Sequence, residues 1–479
     1  MGRTVDKDKP ETRPQEEEPI MTLSRRTVLG GAIGTGAMLA VPGALSATPA
    51  AAPSRKPNII YIMADDMGYG DLGSYGKVYE TPNIDRIGHE GILFTQAYAN
   101  SCVCTATRVG LVTGRYQNRF RVGQEEPLGA NSATIGLDPA VPTMPAYLRK
   151  LGYRTALVGK WHMGDAPRFG PLKSGYGRFF GLYSGGKDYF IQSDDPRSGL
   201  TDGDKLLASH RYLTDELGDR AINELREAAK DDVPLFMSLH FTAPHWPWEG
   251  PEDMAVAQNL SNILHHDGGS IGTFQKMLTS LDMNVGKLLQ ALADTGQAEN
   301  TIVVFTSDNG GERFSNVWPL TGMKGELLEG GIRVPALVRW PARIRPGSRN
   351  DQACISMDWM PTFLEAAGAP AGFDAPTDGQ SVLSQLLGAP SVPRKLFWMY
   401  KANNQAAHRD GNWKYLRLGG HEHLFNLAQD EHERANLAKR EPERFVAMKA
   451  AHAEWTATML PYPPDSPSWD IRGQVPDRY

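Results

Sequence analysis

The sequence has little cysteine, no excess of positive charge and, beyond residue 52, no long apolar run. Three cysteines in 479 residues cannot build a disulfide framework. A net charge of −5 argues against a nucleic-acid binder that relies on a basic surface. Because a membrane span needs about 18 or more consecutive apolar residues, we expect no permanent membrane anchor. With 50 glycines and 34 prolines, the chain is expected to be a globular protein with many loops.

Residues 1–52 have the composition of a targeting segment. Residues 1–20 are polar and rich in charge and proline, and we expect them to be disordered. Arg25 and Arg26 precede a short, weakly apolar Gly/Ala stretch and then a region of small residues. This order is typical of a twin-arginine export signal, and an amphipathic N-terminal helix is the alternative. The signal predicts recognition by the twin-arginine export machinery and a periplasmic or secreted protein.

The rest of the chain has the pattern of an α/β protein. Apolar runs at 58–63, 155–158, 235–239 and 301–306 are typical of buried strands, and apolar residues recur at helical spacing between Phe274 and Leu292. Such runs, separated by helices, predict a large mixed, mostly parallel sheet covered by helices on both faces. We assign this sheet to a catalytic domain at 55–375.

The C-terminal part differs from the preceding region in its pattern. After an Ala/Gly/Pro-rich stretch at 369–376, short apolar runs follow at 395–400, 413–416 and 423–427. Residues 431–453 have a helical composition. These features predict a smaller antiparallel α+β subdomain at 385–479.

Polar residues follow each of the four predicted strands. They are Asp65-Asp66, Lys160 with His162, His240 with His245, and Asp308-Asn309. Ligands bind beyond the carboxyl ends of strands in open α/β sheets, so we expect these residues to meet at one rim. Helix capping and turn formation would explain any one cluster, but they explain the four together poorly.

The expected cluster has the chemistry of a cation site beside an oxyanion site. Hard oxygen ligands without a thiol suit Ca²⁺ or Mg²⁺ better than zinc, and adjacent carboxylates repel each other unless a cation lies between them. The candidate ligands are Asp65, Asp66, Asp308 and Asn309. The candidate cationic wall comprises Lys160, His162, His245 and Lys324. A divalent cation facing such a wall predicts binding of a tetrahedral oxyanion such as sulfate or phosphate.

Cys104 is the candidate nucleophile. It stands at the predicted start of a helix, where backbone N–H groups and the helix dipole favour an anion. From the residues alone, it is a thiol nucleophile or half of a Cys-x-Cys redox or metal pair with Cys102.

The segment from Cys104 to Arg108, Cys-Thr-Ala-Thr-Arg, with Thr-Gly-Arg at 113–115, resembles the first signature of the sulfatase family. Residues 152–162 are similar to the second signature at every position. Further blocks resemble the family at 64–66, 243–245, 307–311, 322–325, 329–335 and 424–427. The resemblance runs from about residue 57 to about residue 437 and implies an alkaline-phosphatase-like fold. In the first signature, Ala106 replaces the commoner proline, and Cys102 stands where a small residue is usual.

The resemblance also implies a mechanism. A maturation enzyme would oxidise Cys104 to Cα-formylglycine, and the four oxygen ligands would hold Ca²⁺ or Mg²⁺ near the modified residue. One hydroxyl of the hydrated aldehyde would attack sulfur and expel the alcohol. The resemblance further implies that Arg108 pairs with the metal-side carboxylates and a formylglycine hydroxyl, and that His162 takes the proton from the second hydroxyl. It also implies that Lys160 and Lys324 hold sulfate oxygens. His245 would protonate the leaving alcohol or bind sulfate.

The predicted function is therefore an exported sulfatase that cleaves a small-molecule or glycan sulfate ester, aryl or carbohydrate. The alternative is a phosphomonoester, phosphodiester or phosphonate hydrolase of the same superfamily. A third hypothesis, from another class, is a secreted binding protein with an inactive site. For Trp246 and Trp248, packing beneath a loop is favoured over stacking on a sugar ring.

Overall fold

The computed structural model describes residues 55–129, 132–190, 199–260, 268–370 and 375–470. The predicted export signal at 1–52 lies outside these residues. Residues 53–479 form one unit of the chain. Within the described ranges, no helix has both the length and the apolar character needed to cross a bilayer.

Strands and helices alternate through the first part of the chain, and short strands dominate the last part. The strands are β1 Asn58–Ala64, β2 Ile92–Tyr98, β3 Arg154–Lys160, β4 Arg178–Leu182, β5 Thr201–Asp202, β6 Lys205–Leu206, β7 Leu235–His240, β8 Thr301–Ser307, β9 Arg333–Arg339, β10 Ser348–Asn350, β11 Cys354–Ile355, β12 Lys395–Tyr400, β13 Gln405–Asp410, β14 Trp413–Leu418 and β15 His421–Asn426. The α-helices are α1 Pro82–His89, α2 Cys104–Thr113, α3 Met144–Lys150, α4 Leu213–Asp231, α5 Met254–Ala257, α6 Ile271–Asp294, α7 Glu329–Ile332, α8 Trp359–Ala366, α9 Leu383–Leu386 and α10 Pro442–Thr456.

Among the described residues, eleven strands form one mixed sheet. Its order is β10-β2-β9-β8-β1-β7-β3-β4-β5-β6, with β11 also paired to β2. At the centre, β1 runs parallel to both β7 and β8, and β3 runs parallel to β7 and β4. The strand β9 is antiparallel to β8 and β2, which makes the sheet mixed. The four strands predicted from apolar runs are therefore the four adjacent strands β8, β1, β7 and β3.

Helices cover both faces of this sheet, as predicted. On one face, Ile60 and Ile62 of β1 pack with buried residues of α1, α4 and α6. On the other face, Ile59 and Tyr61 pack with buried residues of α2, α3 and α8. Because alternate residues of a strand point to opposite faces, the continuous apolar run of β1 serves both cores. The large α/β layer is therefore built as a three-layer arrangement around buried parallel strands.

A four-stranded antiparallel sheet follows, in the order β12-β13-β14-β15. Residues Leu396, Trp398 and Tyr400 of β12 belong to a hydrophobic cluster that also contains Cys102 and Ala106. On another surface of this sheet, Met448 of α10 packs with residues of β13, β14 and β15. The small sheet therefore lies directly behind the start of α2.

The prediction of a helix over 431–453 is wrong for the first half of that range. The described helix α10 begins at Pro442, whose missing N–H is tolerated in the first turn. Before it, the Asp430 carboxylate accepts hydrogen bonds from the N–H groups of Arg434 and Ala435, and Glu433 has a φ of 55°. These local side-chain bonds hold the segment in a turn rather than a helix. The strand β13 was also missed, because its sequence QAAHRD lacks a β-branched or alternating pattern.

Candidate active site

The polar residues after the central strands converge with the start of α2. Asp65 and Asp66 follow β1, Asp308 follows β8, and Lys160 is the last residue of β3. Parallel strands β8, β1, β7 and β3 lie side by side, so their carboxyl ends share one edge of the sheet. One carboxylate oxygen from each of the three aspartates lies within 4.8 Å of the others, and all three side chains are buried.

The carboxylates form an oxygen-rich cage. The Nδ2 group of Asn309 donates to Asp66 Oδ1 over 2.7 Å, which places its amide beside the same carboxylate. Asp65 Oδ1 and Asn309 Oδ1 are buried and accept no hydrogen bond from any described residue. Buried oxygens without partners are costly, and a bound cation would satisfy them. The donor set of three carboxylates and one amide oxygen fits Ca²⁺ or Mg²⁺.

Three buried cations contact the same carboxylates. Arg108 donates from Nη2 to Asp65 Oδ2 over 3.2 Å and to Asp308 Oδ2 over 2.8 Å. Lys160 pairs with Asp65, and Lys324 Nζ lies 2.6 Å from Asp66 Oδ2. The structure therefore places Lys160 and Lys324 on the carboxylates themselves, rather than on a separate wall that faces them.

Neighbouring charges shift the pKa values of two of the aspartates in opposite directions. Burial alone would raise the pKa of Asp66, but the adjacent ammonium groups of Lys324 and Lys160 hold that pKa well below its usual range. Burial and the neighbouring Asp65 charge raise the pKa of Asp308. The Asp65 and Asp308 carboxylates repel each other even with Arg108 between them, which is the condition that a divalent cation relieves.

Both predicted site histidines are buried and carry no charge at neutral pH. Burial, reinforced by Lys160 for His162 and by Lys324 for His245, holds both pKa values well below the usual range. His162 Nε2 lies 2.9 Å from the Leu128 carbonyl oxygen, which can only accept, so Nε2 carries the proton. His162 Nδ1 then has its lone pair available and no partner among the described residues. His245 Nδ1 lies 2.6 Å from the Trp246 carbonyl oxygen, and its Nε2 lies 3.6 Å from Asp66 Oδ2.

Cys104 is the first residue of α2, and its thiol is buried. A ligand atom of Cys104 lies within 4.8 Å of ligand atoms of Asp65 and His245. Burial raises the pKa of the thiol to about 12, so the sulfur is protonated at neutral pH. Cys102, Cys104 and Cys354 are all free and buried. A neutral, buried thiol is a poor nucleophile, whatever the helix dipole contributes.

Family models match most of the chain. The Sulfatase model matches residues 57–369, and the model of the N-sulphoglucosamine sulphohydrolase C-terminal region matches residues 324–452. The chain belongs to the sulfatase family. It is therefore a sulfuric ester hydrolase, as predicted.

Curated relatives and a solved structure agree with this membership. The chain is 32% identical to N-acetylgalactosamine-6-sulfatase of Rattus norvegicus, over 79% of this chain and 74% of the relative. It is 28% identical to N-acetylgalactosamine-6-O-sulfatase of Bacteroides thetaiotaomicron, over 81% of this chain and 91% of the relative. The crystal structure of Ps i-CgsB in complex with k-i-k-neocarrahexaose superposes with a TM-score of 0.77 at 30% identity, covering 88% of this chain and 96% of that one.

Close backbone contacts shape the site of this sulfatase. Asp66 and His162 have φ values of 65° and 59°, a left-handed conformation that is uncommon in non-glycine residues. A side chain at Gly159 would place Cβ 1.8 Å from the His240 carbonyl oxygen, so only glycine fits between β3 and β7. A Cβ at Gly185 would lie 2.4 Å from His162 Cε1, so the loop after β4 contacts this imidazole closely.

Sequence reasoning gave no role to three residues that the sulfatase site contains. His240 Nδ1 lies 3.2 Å from the Lys160 carbonyl oxygen and 3.4 Å from Arg108 Nη1. Glu312 Oε2 lies 3.4 Å from Lys324 Nζ. The ring of Trp469 lies against the same ammonium group, 5.0 Å from its centroid. The position of His240 at a strand end was a usable signal, whereas nothing near Trp469 in the sequence connects it to the site.

Proposed function

We propose that this sulfatase is an exported, formylglycine-dependent enzyme that hydrolyses a sulfate ester of a carbohydrate, with a divalent cation at the three aspartates. Relatives named N-acetylgalactosamine-6-sulfatase or N-acetylgalactosamine-6-O-sulfatase and a structural neighbour in complex with k-i-k-neocarrahexaose support a sugar substrate. The periplasmic or secreted location rests on the Arg25-Arg26 segment of the sequence.

The position of Cys104 carries the proposal. The Cys104 sulfur lies within 4.8 Å of a carboxylate oxygen of Asp65 and of a ring nitrogen of His245. Arg108 contacts both the Asp65 and the Asp308 carboxylates. A thiol that stays protonated gives no reason for the carboxylates and the arginine that surround it. After oxidation of Cys104, the hydrated aldehyde supplies an oxygen nucleophile, while the cation polarises the bound sulfate group and balances the carboxylate charge. The ligands for Ca²⁺, or for Mg²⁺, are Asp65, Asp66, Asp308 and Asn309, with the modified Cys104 beside them.

The other residues act through the atoms that they present. Arg108 contacts Asp65 and Asp308 through Nη2 and donates from Nη1 to the Lys160 carbonyl oxygen, a fixed arrangement of donors that lysine cannot copy. His162 accepts a proton at Nδ1, because Nε2–H is held by the Leu128 carbonyl. Lys160 and Lys324, the buried ammonium groups beside these carboxylates, would hold the sulfate oxygens of a bound ester. His245 would act on the sulfate group or the leaving oxygen from Nε2 once that nitrogen has taken up a proton, because Nδ1–H is held by the Trp246 carbonyl.

The first test is peptide mass spectrometry across residues 101–115 on protein purified from its native host. We expect an aldehyde at position 104 in place of the thiol. An intact thiol in protein that hydrolyses sulfate esters would overturn the formylglycine mechanism. The C104A variant, purified in the same way, provides the reference peptide.

A second test separates the sulfatase from a phosphoester hydrolase. Initial rates are measured with p-nitrophenyl sulfate, p-nitrophenyl phosphate and a panel of sulfated monosaccharides, including N-acetylgalactosamine 6-sulfate. We expect kcat/KM to be at least about a hundredfold higher for the sulfate ester than for the phosphate ester, a difference of about 3 kcal/mol in transition-state stabilisation. The reverse ranking would favour the phosphoester hypothesis.

Export has its own test. Replacing Arg25 and Arg26 by lysine keeps the charge and removes the arginine pair. We expect the double variant to accumulate in the cytoplasm, whereas the wild type reaches the periplasm or the medium. Equal export of both proteins would contradict this part of the proposal.

A further inference from the structure

The last described segment of the chain returns to the active site. The two family models end at residues 369 and 452, so residues 459–470 lie beyond both. We call this stretch, Met459–Asp470, the C-terminal strap. It follows helix α10 and forms a parallel bridge between Ser468 and Glu126, in the loop that follows α2. The strap therefore lies outside both matched regions and near the helix that begins at Cys104.

A buried carboxylate fastens the strap. Glu126 accepts hydrogen bonds from Tyr462 at 2.5 Å, from the Lys401 N–H at 2.9 Å and from Ser468 at 2.7 Å. Its backbone oxygen accepts from the Trp469 N–H at 2.7 Å. The Trp469 carbonyl accepts in turn from the Tyr400 hydroxyl at 2.7 Å. Four of these hydrogen bonds join the strap to the rest of the chain, and two of the four hold the backbone of Trp469.

This anchoring places the Trp469 indole at the active site. Its ring centroid lies 5.0 Å from Lys324 Nζ, and that nitrogen lies 2.6 Å from Asp66 Oδ2. Lys324 and Asp66 are buried, whereas Trp469 is only half-buried. The indole therefore reaches from the buried Lys324 ammonium toward solvent.

A second tryptophan has a similar position. Trp246 is half-buried, and its ring lies 4.3 Å from that of His245, the other group near Asp66 Oδ2. Trp248, in contrast, is buried and packs on Phe314, as sequence analysis favoured. Trp246 and Trp469 also pack against hydrophobic clusters, but both rings keep an exposed part beside the buried charges. Aromatic side chains in such positions are common in the lining of ligand sites.

We propose that Trp469 determines substrate specificity by stacking its indole against the six-membered ring of the alcohol that carries the sulfate. This inference rests on the proposed function, because it needs a sulfate ester held at Lys324. The ring is a pyranose in a sugar sulfate or an aryl ring in an aromatic sulfate, and both present a flat apolar face. The C-terminal strap would thus select ring-bearing esters and leave the recognition of the sulfate group to Lys324.

The test compares W469A, W469F and wild type on p-nitrophenyl sulfate and on the best sulfated monosaccharide of the panel. We expect KM to rise about tenfold in W469A, equivalent to about 1.4 kcal/mol, with kcat within about threefold of wild type. W469F should recover most of the loss. The inhibition constant of inorganic sulfate should not change, because that ion has no ring. W413A is the matched control, since Trp413 also lies under a cation, Arg444 at 4.4 Å, but on the C-terminal sheet.

Two results would overturn the inference while leaving the sulfatase function intact. One is an unchanged KM for both esters in W469A. The other is a sulfate inhibition constant that rises by the same factor as KM, which would show that Trp469 acts only through Lys324. If W469A does not fold, W469L keeps the apolar bulk without an aromatic face and carries the same comparison against W469F. Wild-type protein that hydrolyses no sulfate ester would overturn the proposed function itself, and this inference with it.

Discussion

Two buried clusters of charge in this sulfatase contain similar residues but differ in what their oxygen atoms contact. The first is the active-site cluster, made of Asp65, Asp66, Arg108, Lys160, Asp308 and Lys324. The second, which we call the support cluster, is made of Tyr98, Glu329, Arg333, Lys414 and Glu433. It joins β2, α7 and the start of β9 to the C-terminal part of the chain. All of these side chains are buried.

Each carboxylate of the support cluster is paired. Lys414 Nζ lies 2.9 Å from Glu329 Oε1 and 2.8 Å from Glu433 Oε1. The Tyr98 hydroxyl donates to Glu329 Oε2 over 2.6 Å, and the Glu329 N–H donates to Glu433 Oε2 over 2.6 Å. Burial alone would raise the pKa of Glu329, but the charges of Lys414 and Arg333 outweigh it and keep that pKa below its usual range.

The active-site cluster differs in the contacts of its oxygens. Asp65 Oδ1 and the adjacent Asn309 Oδ1 accept no hydrogen bond from any described residue. Glu433 Oε1 of the support cluster also accepts none, but it lies 2.8 Å from the Lys414 ammonium. Composition and burial therefore do not distinguish a functional cluster from a structural one. The difference lies in oxygens left for a ligand, because a structural cluster is stable only when each buried charge is satisfied.

The largest effect should come from removing the nucleophile. We expect C104A to lower kcat/KM for p-nitrophenyl sulfate at least about 10⁴-fold, as loss of a nucleophile does in other hydrolases. Cys104 contributes no ion pair, so the midpoint of urea unfolding should stay close to that of the wild type. Rates and urea unfolding are measured on the same preparation. Residual activity above about a tenth of wild type would contradict the role of Cys104.

The support cluster should respond in the opposite way. K414M leaves Glu329 and Glu433 buried without their common cation, so we expect the free energy of unfolding to fall by about 3–5 kcal/mol. The kcat/KM of the folded fraction should stay within about threefold of wild type. K449M is the control, because Lys449 pairs with Glu422 at the surface and should cost less than about 1 kcal/mol. A strong loss of kcat/KM in stable, folded K414M would remove the distinction between the clusters.

The same contrast shows what could be predicted from the sequence. Asp65, Asp308 and Lys160 follow or end apolar runs, so the rule that parallel strands share a carboxyl edge placed them together. Pairing is different, because it depends on distances between residues far apart in sequence. Lys160 and Lys324 contact carboxylates, and Trp469 lies near Lys324, which is 145 positions earlier in the chain. These contacts depend on the paths of loops, which no local sequence pattern encodes.

Removing the cation should have an intermediate effect and should act on one cluster only. After exhaustive dialysis against a chelator, we expect kcat/KM to fall about 10²–10³-fold and to recover on addition of Ca²⁺. Added Ca²⁺ should also raise the unfolding midpoint, because a ligand that binds only the native state stabilises it. K414M should show the same rise, since its substitution leaves the cation ligands in place. Activity that survives exhaustive chelation would contradict a cation at the three aspartates.

The smallest expected effect concerns a third buried acid, Glu126, which has hydrogen bonds but no close ion pair among the described residues. Burial raises the pKa of Glu126 to about 7, against about 4.3–4.5 in an unfolded chain. The folded protein therefore binds a proton that the unfolded chain releases, and the contribution of Glu126 to stability is lost as the pH rises from about 4.5 to 7. E126Q cannot ionise, so it should be destabilised relative to wild type by roughly 2 kcal/mol more at pH 5 than at pH 8. Urea unfolding at both pH values measures this difference, with the exposed Glu454 as E454Q for a control. If E126Q is destabilised relative to wild type by the same amount at pH 5 and at pH 8, Glu126 is ionised in the native protein. Hydrogen bonds alone would then stabilise a buried carboxylate, whereas the support cluster uses the charge of Lys414.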